Sequence, residues 1–381
     1  MKCETGKRNA WLGLLIALAV VPCVEAVILE GTGDPSYNTN APTGSLTNSG
    51  WQYEGQWNTE DGLFLGTPIA PTFFLAAQHV GGTANLANDQ FTFQGFTYTL
   101  VTNFDDPTTD LRVWQVAETF PYYAPLYTGG SESGQTCVVM GRGYERGPVI
   151  ISGNTTNGWQ WEGGTTGVER WGQNIVLGVT NAPPGDGEQH PGEQRLYAAF
   201  QASVNSNECV LTAYDSSGGM FIENGTTWQL AGINYELDAF LVSTNADGSN
   251  SFDAALMDYH DLYYWSGADW VYFTGHYAQQ FYCTRVSARI SWINSVINYK
   301  LGNDLGIAGI QVVGSDAQIS LITGTNRSYR VDYTTDLVNA VWTTLTNNIP
   351  GTNGTVTVVD PGATTNQPAR FYRAMVLPQW Q

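Results

Sequence analysis

Apolar residues recur along this chain in short runs, separated by turns rich in Gly, Asn, Thr and Pro, and the 43 glycines among 381 residues suit that pattern. Runs of that length with such boundaries predict short β-strands over most of the chain. Two stretches depart from it. From Val286 to Ile297 the apolar residues Ile290, Ile293 and Ile297 recur at helical spacing and predict one helix. From Trp11 to Val21 the chain is an apolar run preceded by Lys2, Lys7 and Arg8, and Val24-Glu25-Ala26 then offers small residues. That order predicts a signal peptide over 1–26, cleaved after Ala26. The run is too short to span a bilayer, so no stable membrane insertion is expected after cleavage.

Past Asn303, Asp304 and Gly306 the alternation changes character. Ile310 and Val312, Ile319 and Leu321, Tyr329 with Val331 and Tyr333, Val356 and Val358, and Phe371 with Met375 mark spaced strands. They predict a small β-sandwich over 301–381. Segments such as Ser328-Tyr329-Arg330-Val331-Asp332-Tyr333 and Ala369-Arg370-Phe371-Tyr372-Arg373 resemble C-terminal sandwich modules appended to bacterial secreted proteins. That likeness implies architecture and names no partner.

The chain is acidic, with a formal charge of −19. Such a charge disfavours nucleic acid and anionic membranes as partners. After the signal peptide only Cys137, Cys209 and Cys283 remain, which allows one disulfide at most and offers no zinc spacing. Asp247, Asp253, Asp258 and Asp261 lie in an acidic aromatic stretch from Glu236 to Trp270. Their spacing does not match an EF-hand loop, and the stretch reads as a solvated insertion. No metal or organic cofactor is expected.

Chemistry concentrates in Tyr214-Asp215-Ser216-Ser217-Gly218-Gly219-Met220-Phe221-Ile222. A serine on a tight turn is a useful nucleophile only beside a base that an acid orients. The chain has four histidines. His190 sits in a Pro- and Gly-rich stretch that reads as an exposed loop, and His260 and His276 lie among aromatic residues, where packing is the default. His79 ends Phe73-Phe74-Leu75-Ala76-Ala77-Gln78-His79 and precedes Gly81-Gly82. Taken alone it is structural or catalytic. Asp110 stands where a polar turn gives way to the alternation of Leu111 and Val113, and it is a turn former or a buried strand-edge acid.

Together these windows resemble the trypsin/chymotrypsin-like serine proteases, in their bacterial secreted branch. Leu75-Ala76-Ala77-Gln78-His79 is similar to Thr-Ala-Ala-His, Asp110-Leu111-Arg112-Val113 to the acid motif, and Asp215-Ser216-Ser217-Gly218-Gly219 to Asp-Ser-Gly-Gly-Pro. Cys137-Val138-Val139-Met140-Gly141-Arg142-Gly143 and Tyr282-Cys283-Thr284-Arg285-Val286 resemble the strand opening the second barrel and the segment before the closing helix. The resemblance implies an all-β fold: two six-stranded antiparallel β-barrels with a C-terminal helix over 27–300, then the sandwich. It implies a secreted, extracellular endopeptidase acting on protein or peptide, with His79, Asp110 and Ser216 as catalytic residues and the N–H groups of Tyr214 and Ser216 as oxyanion donors. Ser217 is the alternative nucleophile; Ser216 is preferred because Asp215 precedes it directly. Tyr214 and Ser217 stand where the family has glycines. Val210, six residues before Ser216, implies a neutral or apolar primary preference. Val27 follows the cleavage point, where many relatives pair a new N-terminus with the aspartate before the nucleophile. Arg142 is an internal cation for that aspartate or a solvated surface charge. The alternative function is a non-catalytic binding protein on a degenerate protease fold.

Overall fold

The computed structural model describes residues 27–377 apart from 85–88, 164–166, 183–189, 203, 303–304, 325–327, 338–340, 353 and 366–368. The signal peptide predicted over 1–26 lies outside the described residues. The chain is all-β, as its alternation predicts, and antiparallel pairing dominates.

Two seven-stranded sheets carry the first two thirds. One runs in the order Phe96–Tyr98, Gln90–Phe93, Gly55–Thr59, Gly62–Ala70, Phe73–Ala77, Leu111–Val116, Leu100–Asp105. Its two end strands are successive stretches of chain separated by Thr99 alone, so the sheet closes on itself through one bent segment. Counting that segment once leaves six around the ring. The second sheet repeats the device in the order Arg170–Ile175, Thr136–Gly141, Gly219–Asn224, Thr227–Leu237, Gln280–Arg285, Gln194–Ala199, Gly178–Asn181. Only Val176 and Leu177 separate its two ends. Closure removes the unpaired edges that an open sheet would expose.

Trp57, Phe74, Phe91 and Trp114 fill the first ring, with Phe74 and Phe91 stacked at 3.9 Å. The same cluster takes in Phe221, Leu230 and Ile233 from the second sheet, so the two halves share apolar packing. Val139, Leu196, Met220, Ala231 and Cys283 belong to a second core. Cys137, Cys209 and Cys283 are all free and buried. Burial pushes the Cys137 thiol up to about 12, which makes it inert.

The stretch read as a solvated insertion is instead ordered. Its strands Leu241–Ser243, Ser251–Leu256, Tyr263–Trp265 and Trp270–Tyr272 join Glu145–Ser152 and Thr155–Glu162 in a six-stranded sheet. Ile150, Val242, Ala254, Leu256, Tyr259 and Leu262 form its core. Its acidic composition hid a strand pattern in which Ala254, Ala255 and Leu256 are buried while Asp253 faces outward.

The helix runs over Ile290–Gly302 after a short 3-10 turn at Ser287–Arg289, slightly later than the sequence spacing predicts. Ile293, Val296 and Ile297 bury into the first core. Beyond it, two three-stranded sheets contribute to one cluster: Ala317, Ile319, Leu321 and Val358 from one, Tyr329, Val331 and Ile349 from the other.

Candidate active site

Strand pairing brings the first two candidates together. Phe73–Ala77 runs antiparallel to Leu111–Val116 with Ala77 opposite Leu111, so the chain leaving one strand passes the residue entering the other. His79 Nδ1 lies 2.6 Å from Asp110 Oδ2, and the His79 backbone N–H donates to Asp110 Oδ1 at 2.9 Å. One carboxylate thus fixes both the ring and the backbone of the histidine. Asp110 is buried, while the His79 side chain is 33% exposed. With Asp110 ionised, Nδ1 carries the hydrogen and Nε2 is left as the basic nitrogen.

The serine turn is held from both sides. Ser217 is fully buried; its N–H donates to Asn234 O at 2.9 Å and its hydroxyl accepts the Ala77 N–H at 3.0 Å. Ser216 is only partly buried. Among the described residues no hydrogen bond within 3.5 Å engages the Ser216 hydroxyl or the backbone N–H groups of Tyr214 and Ser216. Tyr214 and Ser217 both have φ of 71°, the left-handed region that glycine occupies freely. Holding a side chain there costs about 1–3 kcal/mol. The Tyr214 ring offsets this by stacking on Phe64 at 5.9 Å and packing against Tyr144 at 5.7 Å. Gly62 makes room for it, since a Cβ there would come within 2.9 Å of the ring.

Asp215 turns inward. It accepts the N–H groups of Gly143 and Thr212, each at 2.7 Å, and the Thr212 hydroxyl at 3.0 Å. The Val27 amide also stabilises its carboxylate, yet burial dominates and pushes the group up to about 6. Gly141 is required by this packing: a Cβ there would meet Asp215 Oδ1 at 2.1 Å. Arg142 is neither partner to Asp215 nor solvated, contrary to both sequence readings. It is buried, and donates to Asn58 Oδ1 at 2.9 Å, Phe64 O at 3.0 Å and Gly167 O at 2.6 Å. Val210 is buried and pairs with Ile28.

Sequence reasoning missed a buried charge network behind the histidine. Glu193 Oε1 accepts the Asp110 N–H at 3.2 Å and the Thr284 hydroxyl at 2.6 Å, while Oε2 accepts Arg195 Nε and Nη2 at 3.2 and 3.1 Å. Arg195 also binds Glu236 at 2.6 Å, and its guanidinium lies 4.2 Å from the Tyr235 ring centroid. Tyr235 in turn packs edge-on to the His79 ring at 5.4 Å. A bulge between Asn234 and Glu236 breaks the strand register at Tyr235, the kind of irregularity that re-aims a side chain. The spacing Glu193-x-Arg195 carried no signal, because the partners come from four separate strands and loops.

Of the remaining histidines, His190 adjoins this geometry through Gln78. His190 is half-buried rather than exposed, with Nε2 at 3.0 Å from Gln78 Oε1. His260 and His276 stack on each other at 4.5 Å, and His276 pairs with Asp258. Asp247, Asp253, Asp258 and Asp261 do not converge, and among the described residues no group of three or more potential ligands could hold a metal ion.

No family model matches this chain, and no curated protein does. Among solved structures it is similar to neuropsin, a serine protease expressed in the limbic system of mouse brain. Identity is 12%, the TM-score is 0.40, and the match covers 66% of this chain and 96% of that one. It is also similar to an inactive form of Rv3671c from M. tuberculosis H37Rv, at 14% identity and a TM-score of 0.34, over 56% of this chain and 88% of that one.

Proposed function

We propose that this chain is a secreted serine endopeptidase of residues 27–300, with an accessory β-sandwich over 301–381. The observation that carries the reading is the doubly bonded His79–Asp110 pair, just past a strand end to which the serine turn is bonded through buried Ser217, while the neighbouring Ser216 hydroxyl makes no hydrogen bond among the described residues.

In this mechanism Asp110 holds the His79 tautomer, and Nε2 takes the proton of Ser216 as its oxygen attacks a scissile carbonyl. The Tyr214 and Ser216 N–H groups stabilise the oxyanion. His79 then protonates the leaving amine, and water repeats the cycle to release the acyl group. The positive φ at Tyr214 and Ser217 supplies the backbone shape that glycine would give, which weighs against the non-catalytic alternative. Cleavage after Ala26 would place a new α-amino group at Val27, beside Asp215.

A serine-directed fluorophosphonate tests this. The mature protein should label on Ser216, lose labelling in Ser216→Ala and keep it in Ser217→Ala. Folded protein that never labels would sink the proposal.

A further inference from the structure

The loops of the inserted sheet, with the chain just past the strand Thr227–Leu237, line a second, chemically different feature. A cavity of about 210 Å³ is lined by Asp238, Ala239, Tyr259, Tyr264, Phe273 and Tyr277. Four of these six residues are aromatic and one is a carboxylate; none is basic. We propose that this cavity is a binding site for the ammonium or guanidinium head of a lysine or arginine side chain on a polypeptide.

The lining rings pack on one another at tilted angles rather than as a stack. Tyr259 and Phe273 lie 5.7 Å apart at 49°, Tyr259 and Tyr277 5.8 Å apart at 41°, and Tyr264 and Phe273 6.2 Å apart at 67°. Aromatic faces are negative, so several tilted rings around one space attract a cation without forming a hydrogen bond. The polar atoms of the rings are directed elsewhere. The Tyr259 hydroxyl donates to Ala239 O and the Tyr277 hydroxyl to Asp238 Oδ2 at 2.8 Å.

Asp238, one of the lining residues, is fixed in place. Its Oδ2 also accepts the Gln280 N–H at 2.9 Å, and its Oδ1 accepts the Tyr282 hydroxyl at 2.9 Å. All these donors are neutral, so they orient the carboxylate without cancelling its charge. Burial, and then that charge, push the Tyr259, Tyr277 and Tyr282 phenols upward, which keeps the rings neutral at ordinary pH. Tyr277 is 37% exposed and Tyr264 and Phe273 are half-buried around an open space.

The position favours a peptide as the source of the cation. Asp238 follows Leu237, the end of the strand Thr227–Leu237 that carries Tyr235 against His79. Three extended residues span about 10 Å, so a chain lying past His79 brings a neighbouring side chain within reach of the cavity. The formal charge of −19 draws cationic partners to the molecule as a whole.

The test uses the mature chain carrying Ser216→Ala, so that no peptide is consumed and the outcome is independent of whether the protein is a protease. Acetyl-Gly-Gly-Lys-Gly-Gly-amide, its arginine analogue and its norleucine analogue are titrated by calorimetry or by following aromatic proton resonances. The lysine and arginine peptides should bind at least tenfold more tightly than the norleucine peptide. Adding Asp238→Asn should remove that preference, and Tyr264→Leu should weaken both cationic peptides. The ligand series on the unaltered pocket keeps the test valid even where a pocket variant fails to fold. Equal binding of lysine and norleucine peptides overturns the proposal, as does no binding of either at millimolar concentration. Tetramethylammonium binding as tightly as the lysine peptide would overturn the assignment to a polypeptide side chain.

Discussion

The hydroxyl of Ser217 accepts the backbone N–H of Ala77 at 3.0 Å, so the turn bearing Ser216 is bonded to the strand that leads into His79. Two segments 140 residues apart in sequence are thereby held together by the serine that does not face solvent. Ser217→Ala leaves a buried N–H unpaired and should cost about 1–3 kcal/mol of stability. Thermal unfolding should show that loss while fluorophosphonate labelling of Ser216 persists. Loss of labelling with unchanged stability would reverse the assignment of the two serines.

Tyr214 has a positive φ, and its ring packs on Phe64 and Tyr144. Tyr214→Ala keeps the unfavourable backbone angle and removes the packing on Phe64 and Tyr144, whereas Tyr214→Gly removes both. The alanine variant should therefore label more slowly than the glycine variant. A displaced oxyanion donor costs about 100–1000-fold in rate, which sets the range to look for. Equal rates for the two would show that the positive φ at this position costs the turn nothing.

Arg195 and Glu193 form a nearly dry ion pair that bonds the Asp110 backbone. Arg195→Met strands the carboxylate and should destabilise the protein by about 3–5 kcal/mol. Because the network positions His79 and Asp110 without facing substrate, kcat should fall more than KM changes. Adding Glu193→Gln to Arg195→Met should recover part of the stability, and a double-mutant cycle measures how much.

Glu54 is buried, with Oε1 accepting the Thr67 hydroxyl and the Gly219 N–H, and burial pushes its carboxyl up to about 8. Between its ordinary value of 4.5 and about 8 the unfolded chain is ionised while the folded chain keeps the proton. Stability is therefore fully present below the ordinary value and falls as pH rises through that window, by up to about 1.4 kcal/mol per pH unit. Glu54→Gln should flatten this part of the pH profile of unfolding. A variant with the same slope as the parent would exclude Glu54 as its source.

The Val27 amide reaches Asp215, so the chemistry of the mature N-terminus should matter. An α-amino group there is cationic below about pH 8 and pairs with the carboxylate. Protein beginning at Val27 should lose activity as pH rises through that range. The same protein with Gly-Ser added before Val27 should be at least tenfold less active throughout. Identical profiles would remove the N-terminus from the mechanism.

Much of the candidate site has a local signature in the sequence. The small residues before His79, the turn-to-strand change at Asp110 and the Asp-Ser-Ser-Gly-Gly turn each reflect a local backbone requirement, and local requirements are written in adjacent residues. Alternation likewise gave the strands, because side chains on a strand point alternately to opposite faces. Which serine is buried, how Tyr214 tolerates its backbone angle, where Arg142 points and how Glu193 reaches Asp110 were not readable. Each depends on groups brought together by ring closure and by pairing between distant strands, as do the walls of the Asp238 cavity. Their energies come from burial and from contacts across 40 to 140 residues or more, and no window of adjacent residues contains both partners.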